Sequence, residues 1–309
     1  MGIDRVTTQK GACKVDGKSR EWLELHYSPS RWSKRMTADK VVENHVKVCS
    51  INSASTKQNL RGELNLSYGA NNAKMDIFYP MTEDQDSTPV IVFIHGGYWQ
   101  EGSKDIYSFI SNSWTQAGCI AAVVGYNLAP EVSLDNMVTE IQHAVEFVAK
   151  KFPKSKLFLC GHSAGAHLCA MMSLTNWNNN LLVSQAIHGM CLLSGVFDLV
   201  PLINTYINDA VSLDVSSASR NSPQRILQQS SPTIRCPTLV VVEEHGSPEF
   251  TRQSKEYVEN LTTHGVQCSF IESPGVDHFN LIENMVNPED FLCKEILKLV
   301  PGKTFQVQE

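Results

Sequence analysis

Leu157-Phe158-Leu159-Cys160-Gly161-His162-Ser163-Ala164-Gly165-Ala166-His167 is the stretch that decides how the rest of the chain reads. A short apolar run, the span of one strand, breaks at a Gly-x-Ser-x-Gly pentad and resumes as a helical pattern from Ala166 to Leu174. Strand, sharp turn and helix with a serine at the bend is the setting of a nucleophile elbow. The bend strains the Ser163 backbone and lifts Oγ above the sheet, while glycine at 161 and 165 lets strand and helix approach. Ser163 is the expected nucleophile.

From about residue 74 onward the same rhythm repeats. Lys74–Tyr79, Val90–His95, Ile120–Gly125, Leu157–Gly161, Met190–Ser194, Thr238–Glu243 and Cys268–Glu272 read as strands. Runs such as Ile91-Val92-Phe93-Ile94 and Leu239-Val240-Val241-Val242 are nearly unbroken, as in strands covered on both faces. Between strands, Leu134, Met137, Val138, Ile141, Ala144, Val145 and Val148 recur at helical spacing. Alternating strands and helices predict an α/β fold with a mostly parallel sheet and helices on both faces. Residues 199–235, rich in Ser, Asn and Gln, interrupt the rhythm and read as a small lid or cap insertion. Residues 1–60 are polar with aromatic clusters at Trp22 and Tyr27 to Trp32, and read as an extension packed over the sheet edge or the site of a single domain of residues 61–309.

The composition sets outer bounds. The chain has 309 residues, 42% hydrophobic and 19% charged, with a formal net charge of −6. That is globular, and it lacks the basic footprint of a nucleic-acid or anionic-membrane binder. Nine cysteines, Cys13 among them, are scattered without a Cys-x-x-Cys, which suggests neither a zinc knuckle nor a disulfide framework. The polar start has no signal-peptide core, and Val6 stands where a myristoylation signal after Gly2 needs Ser or Thr. The sequons at Asn65 and Asn260 then carry no weight, and the cytosol with reduced thiols is the expected compartment.

His95-Gly96-Gly97-Tyr98-Trp99 closes a predicted strand. Its glycines leave backbone N–H groups open to an oxygen that turns negative in acyl transfer, with Ala164 N–H as second donor. Tyr98 and Trp99 either shape the pocket or fill core. The last histidine, His278, follows the final predicted strand, where a general base reaches the top of the sheet. The acid should follow Thr238–Val242, where the chain reads Glu243-Glu244-His245-Gly246-Ser247-Pro248-Glu249-Phe250 without an aspartate. Glu243, Glu244 and Glu249 are local candidates and Asp198 is a more distant one. Asp277, adjoining the base in sequence, is poorly placed to reach back to it.

Together these residues resemble the arylformamidase (kynurenine formamidase) family of the α/β-hydrolase superfamily. The resemblance rests on Tyr27-Ser-Pro-Ser-Arg-Trp32, His95-Gly-Gly-Tyr-Trp99, Gly161-His-Ser-Ala-Gly-Ala-His167, Ser194-Gly-Val-Phe-Asp-Leu199, Ser247-Pro-Glu-Phe250 and Val276-Asp-His-Phe279. It implies hydrolysis of N-formyl-L-kynurenine to L-kynurenine and formate in tryptophan breakdown, with Ser163 as nucleophile and His278 as base. It implies no metal or organic cofactor and allows a homodimer. The family carries its acid immediately before Ser-Pro-Glu-Phe, and here that position is Gly246. Glu244, two residues earlier and one methylene longer, is then the expected acid. Two alternatives stand beside this one: a general carboxylesterase of the same fold, and a ligand-binding pseudoenzyme that Gly246 would favour.

Overall fold

Odd and even residues of the central strand part company. In the computed structural model, which describes residues 17–69, 71–81, 87–178 and 180–303, Val90, Val92 and Ile94 join one hydrophobic core while Ile91 and Phe93 join a second. All five are fully buried. A strand apolar on both sides needs cover on both sides. On one face it comes from the helices Leu134–Lys151, Ala164–Leu174 and Pro248–Thr263, on the other from Ala38–Asn59, Ser111–Gln116 and Phe291–Lys298. All seven apolar residues of the predicted stripe in Leu134–Lys151 are buried, and Ser133 caps the helix by accepting from Asn136 N.

The sheet has eight strands: β1 Gly62–Ser67, β2 Lys74–Phe78, β3 Val90–Ile94, β4 Ile120–Val124, β5 Leu157–His162, β6 Ile187–Leu193, β7 Thr238–His245 and β8 Cys268–Asp277. Their order is β1-β2-β4-β3-β5-β6-β7-β8, antiparallel at β1/β2 and β2/β4 and parallel elsewhere. The α/β class and the mostly parallel sheet are as the sequence predicts. β1 was not predicted, because it is an exposed edge strand reading Gly-Glu-Leu-Asn-Leu-Ser with no apolar run. β8 is longer than predicted and carries Pro274 and Gly275, residues that an edge strand tolerates and a central one does not.

Ahead of β1 lie the helix Arg20–His26, a 3-10 turn at Pro29–Trp32 and the long helix Ala38–Asn59. That helix buries Val41, His45, Cys49, Ser53 and Thr56, a helically spaced stripe too polar for a hydropathy reading to detect. Residues 199–235 hold a 3-10 turn at Val200–Asn204 and the short helices Asn208–Val211, Val215–Arg220 and Pro223–Leu227. The features noted at Gly2, Val6 and Cys13 lie outside the described residues. The eight other cysteines are free thiols. Among the described residues no helix is long and apolar enough to cross a membrane.

Candidate active site

β5 ends at His162, and the chain reverses through Ser163 into the helix Ala164–Leu174. Ser163 has φ 56° and ψ −119°, a conformation costing a non-glycine residue about 1–3 kcal/mol. Its neighbours must be glycines on contact grounds: a Cβ on Gly161 would lie 2.2 Å from Gly165 O, and one on Gly165 would lie 2.0 Å from Ile94 O. Parallel pairing of β5 with β3 and β6 holds the bend from both sides, and Ser163 N donates to Leu193 O at 2.8 Å.

The turn after β3 lies directly against this bend. A Cβ on Gly96 would stand 2.9 Å from both Ser163 Cβ and His162 O. Gly97, Tyr98 and Trp99 all have positive φ, and Gln100 N and Glu101 N fold back to donate to Gly97 O. The two aromatics then diverge. Tyr98 lines the cleft above Ser163 and donates its hydroxyl to Tyr27 O at 2.7 Å. Trp99 is wholly buried, edge-on to His167 with its indole N–H donating to His167 Nδ1 at 3.2 Å, and does not appear in the cleft lining.

Ser163 and His278 line the same cleft, with Gly97, Tyr98, Tyr107, His162, Tyr206 and Phe279 among their neighbours. Its empty volume, open mouth included, is about 860 Å³. His278 is 4% exposed and its ring lies 4.6 Å from that of His162, whose Nε2–H donates to His278 O at 3.0 Å. Burial holds His162 neutral, well below the ordinary histidine range, and pushes His95 and His167 down to about 4. His278 Nδ1 meets Glu243 Oε1 at 3.2 Å and Ser194 Oγ at 2.8 Å. In the tautomer with the proton on Nδ1, that N–H donates to the Glu243 carboxylate and Nε2 is the nitrogen with a free lone pair. Ser194 Oγ is a second acceptor for the same N–H.

The carboxylates separate clearly. Glu243, 2% exposed, faces the base, while Glu244 is exposed and accepts from Gly275 N at 2.7 Å. The carboxylate beside His278 is therefore one residue earlier in the chain than the Glu244 expected from the sequence. The strand continues past Glu243 to His245, so adjacent residues point to opposite faces. Glu249 pairs with Arg252 and accepts from Tyr27 Oη. Asp198 pairs with Arg225 at 2.7 Å. Asp277 turns away from His278 toward Arg35.

Ser194 was absent from the sequence reading as a site residue; its signal would have been a serine ending β6, the strand beside the elbow. The N-terminal extension supplies a wall of the cleft through Pro29, Ser30, Val42, His45 and Val46, residues that the sequence did not single out as lining it.

The BD-FAE family matches residues 75–235. Kynurenine formamidase from Danio rerio is 39% identical over 289 residues, covering 93% of this chain and 98% of that one. The Salmo salar kynurenine formamidase is 36% identical over 290 residues with the same coverage. Among solved structures, a protein described as a thioesterase from a Silicibacter species superimposes with a TM-score of 0.76 at 27% identity, covering 88% of this chain and 97% of that one.

Proposed function

The chain belongs to the kynurenine formamidase family, and from that premise we propose that it hydrolyses N-formyl-L-kynurenine to L-kynurenine and formate, in tryptophan catabolism, through a formyl-serine on Ser163. The observation that carries the reading is the buried Glu243 carboxylate at Nδ1 of His278, whose ring lines the same cleft as the strained Ser163.

Ser163 Oγ attacks the formyl carbon and His278 Nε2 accepts its proton. Glu243 fixes the productive tautomer and stabilises the imidazolium. The oxyanion is held by backbone N–H groups at Gly97 and Ala164, with Gly96 leaving the approach to Ser163 open. His278 then protonates the departing aryl nitrogen, and water delivered through the same imidazole releases formate. A formyl carbon bears only hydrogen, so little room is needed on the acyl side. Tyr98, Tyr107, Tyr206 and Phe279 offer aromatic surface to the leaving group.

Ser163→Ala is expected to lower formylkynurenine turnover by at least about 10³-fold while circular dichroism and substrate binding stay near wild type. Retained turnover would remove Ser163 from the mechanism. Faster hydrolysis of p-nitrophenyl acetate than of formylkynurenine would instead favour a general esterase. An active-site serine inert to a fluorophosphonate probe would favour a binding protein.

A further inference from the structure

The loop that presents His278 is gripped from outside the hydrolytic core. Arg35 lies between the 3-10 turn Pro29–Trp32 and the helix Ala38–Asn59. Its Nε donates to Asp277 Oδ2 at 2.8 Å and its Nη2 to Asp277 Oδ1 at 3.1 Å, a two-point fork on the residue preceding His278. Ser33 Oγ adds a third bond to Asp277 Oδ2 at 2.5 Å. On the other side, Asp277 Oδ1 accepts from Phe279 N at 3.0 Å and Asn280 N at 2.9 Å, so this carboxylate spans His278. Arg35 and Ser33 hold the Asp277 carboxyl down to about 2, against the opposing effect of its burial.

The guanidinium also reaches forward along the chain. Arg35 Nη1 donates to Glu283 Oε2 at 3.1 Å, and Glu283 Oε1 faces His45 Nδ1 at 2.9 Å. His45 Nε2 in turn meets Tyr107 Oη at 2.9 Å, and both rings line the cleft. One cation thus joins the base-bearing loop to the cleft-lining His45 and, through it, Tyr107.

We propose that Arg35 is a positioning residue for His278: its fork on Asp277 fixes where the imidazole stands over Ser163. The proposal rests on Ser163 and His278 acting as nucleophile and base. A planar guanidinium can engage both carboxylate oxygens, whereas a lysine ammonium is a single point of charge. Misplacing a reacting group by about 1 Å costs roughly 10²-fold in rate, which sets the scale expected for losing the fork.

The test compares wild type, Arg35→Met and Arg35→Lys as full chains, with fluorophosphonate labelling of wild type establishing the underlying reading. Both variants should lose about 10- to 100-fold in kcat with KM changed less than about threefold. Low millimolar guanidinium, added to Arg35→Met, should restore much of kcat, because Arg35 is partly exposed and its seat is reachable. Positioning of His278 through this seat predicts rescue of kcat at little-changed KM, and loss of activity through unfolding does not. Full kcat in Arg35→Lys overturns the proposal. So does a loss in Arg35→Met that guanidinium leaves untouched and that tracks the unfolded fraction. If wild type is neither labelled nor active, it is the hydrolase reading that fails, and the two failures are told apart.

Discussion

Gly246 and Glu243 compete for one small volume. A Cβ on Gly246 would sit 2.4 Å from Glu243 Oε1 and 2.6 Å from its Cγ and Cδ, so a side chain at 246 evicts the carboxylate that faces His278. Glu243→Gln should therefore lower kcat/KM by about 10²- to 10⁴-fold, and Glu244→Gln by less than about twofold. Gly246→Ala should approach Glu243→Gln although it removes no functional group. The double variant Glu243→Ala/Gly246→Asp should recover from the Glu243→Ala level, since the shorter acid starts where the longer one ends. Steady-state kinetics of this set decides the matter: an unaffected Gly246→Ala would separate the two positions. The sequence brought the acid down to a short window and no further. Consecutive glutamates near the end of a strand differ in which face they take, and that depends on where the strand stops. Reading β7 as ending at Glu243, rather than at His245, removed the alternation that distinguishes Glu243 from Glu244.

At the scale of elements, the legible ones were those whose burial writes a pattern into the chain. β3, β4 and β5 are fully buried apolar runs, and their register with one another sets the elbow beside the Gly96-Gly97 turn. The edge strand β1 and the helix Ala38–Asn59 left little trace, since one is mostly exposed and the other buries histidine, serine and threonine. The end of β8 illustrates a different case: its Asp277 was visible in the sequence, but its partner lies 242 residues away. Its carboxyl titrates near 2 in the folded chain against an ordinary 3.8, worth about 2 kcal/mol of stability. Because the folded value is the lower one, this stability is complete above pH about 4 and disappears as pH falls through about 2. Thermal unfolding of wild type and Asp277→Asn should thus differ most at neutral pH and converge toward pH 2. A constant difference across that range would contradict the linkage.

Taken whole, the molecule builds its cleft from segments far apart in the chain: residues 29–46, 97–107, 162–163, 206 and 278–279. The motifs exposed the floor, because backbone bends there demand glycine and a serine with a positive φ. The walls impose no such demand on the sequence, and only folding brings Tyr206 against the N-terminal segment. Its hydroxyl meets Ser28 Oγ at 3.0 Å, and the side chain is 44% exposed at the cleft mouth. A half-exposed ring that bonds to Ser28 rather than to His278 should act on the leaving group and leave the chemical step alone. Tyr206→Ala should therefore raise KM for formylkynurenine by about 2- to 10-fold, the range of one aromatic contact, with kcat nearly unchanged. Hydrolysis of p-nitrophenyl formate, whose leaving group is smaller, should respond less. Tyr206→Phe separates ring from hydroxyl: near-wild-type KM assigns the effect to aromatic surface, whereas an alanine-like KM assigns it to the bond with Ser28. A fall in kcat in either variant would mean that this wall also governs the placement of His278.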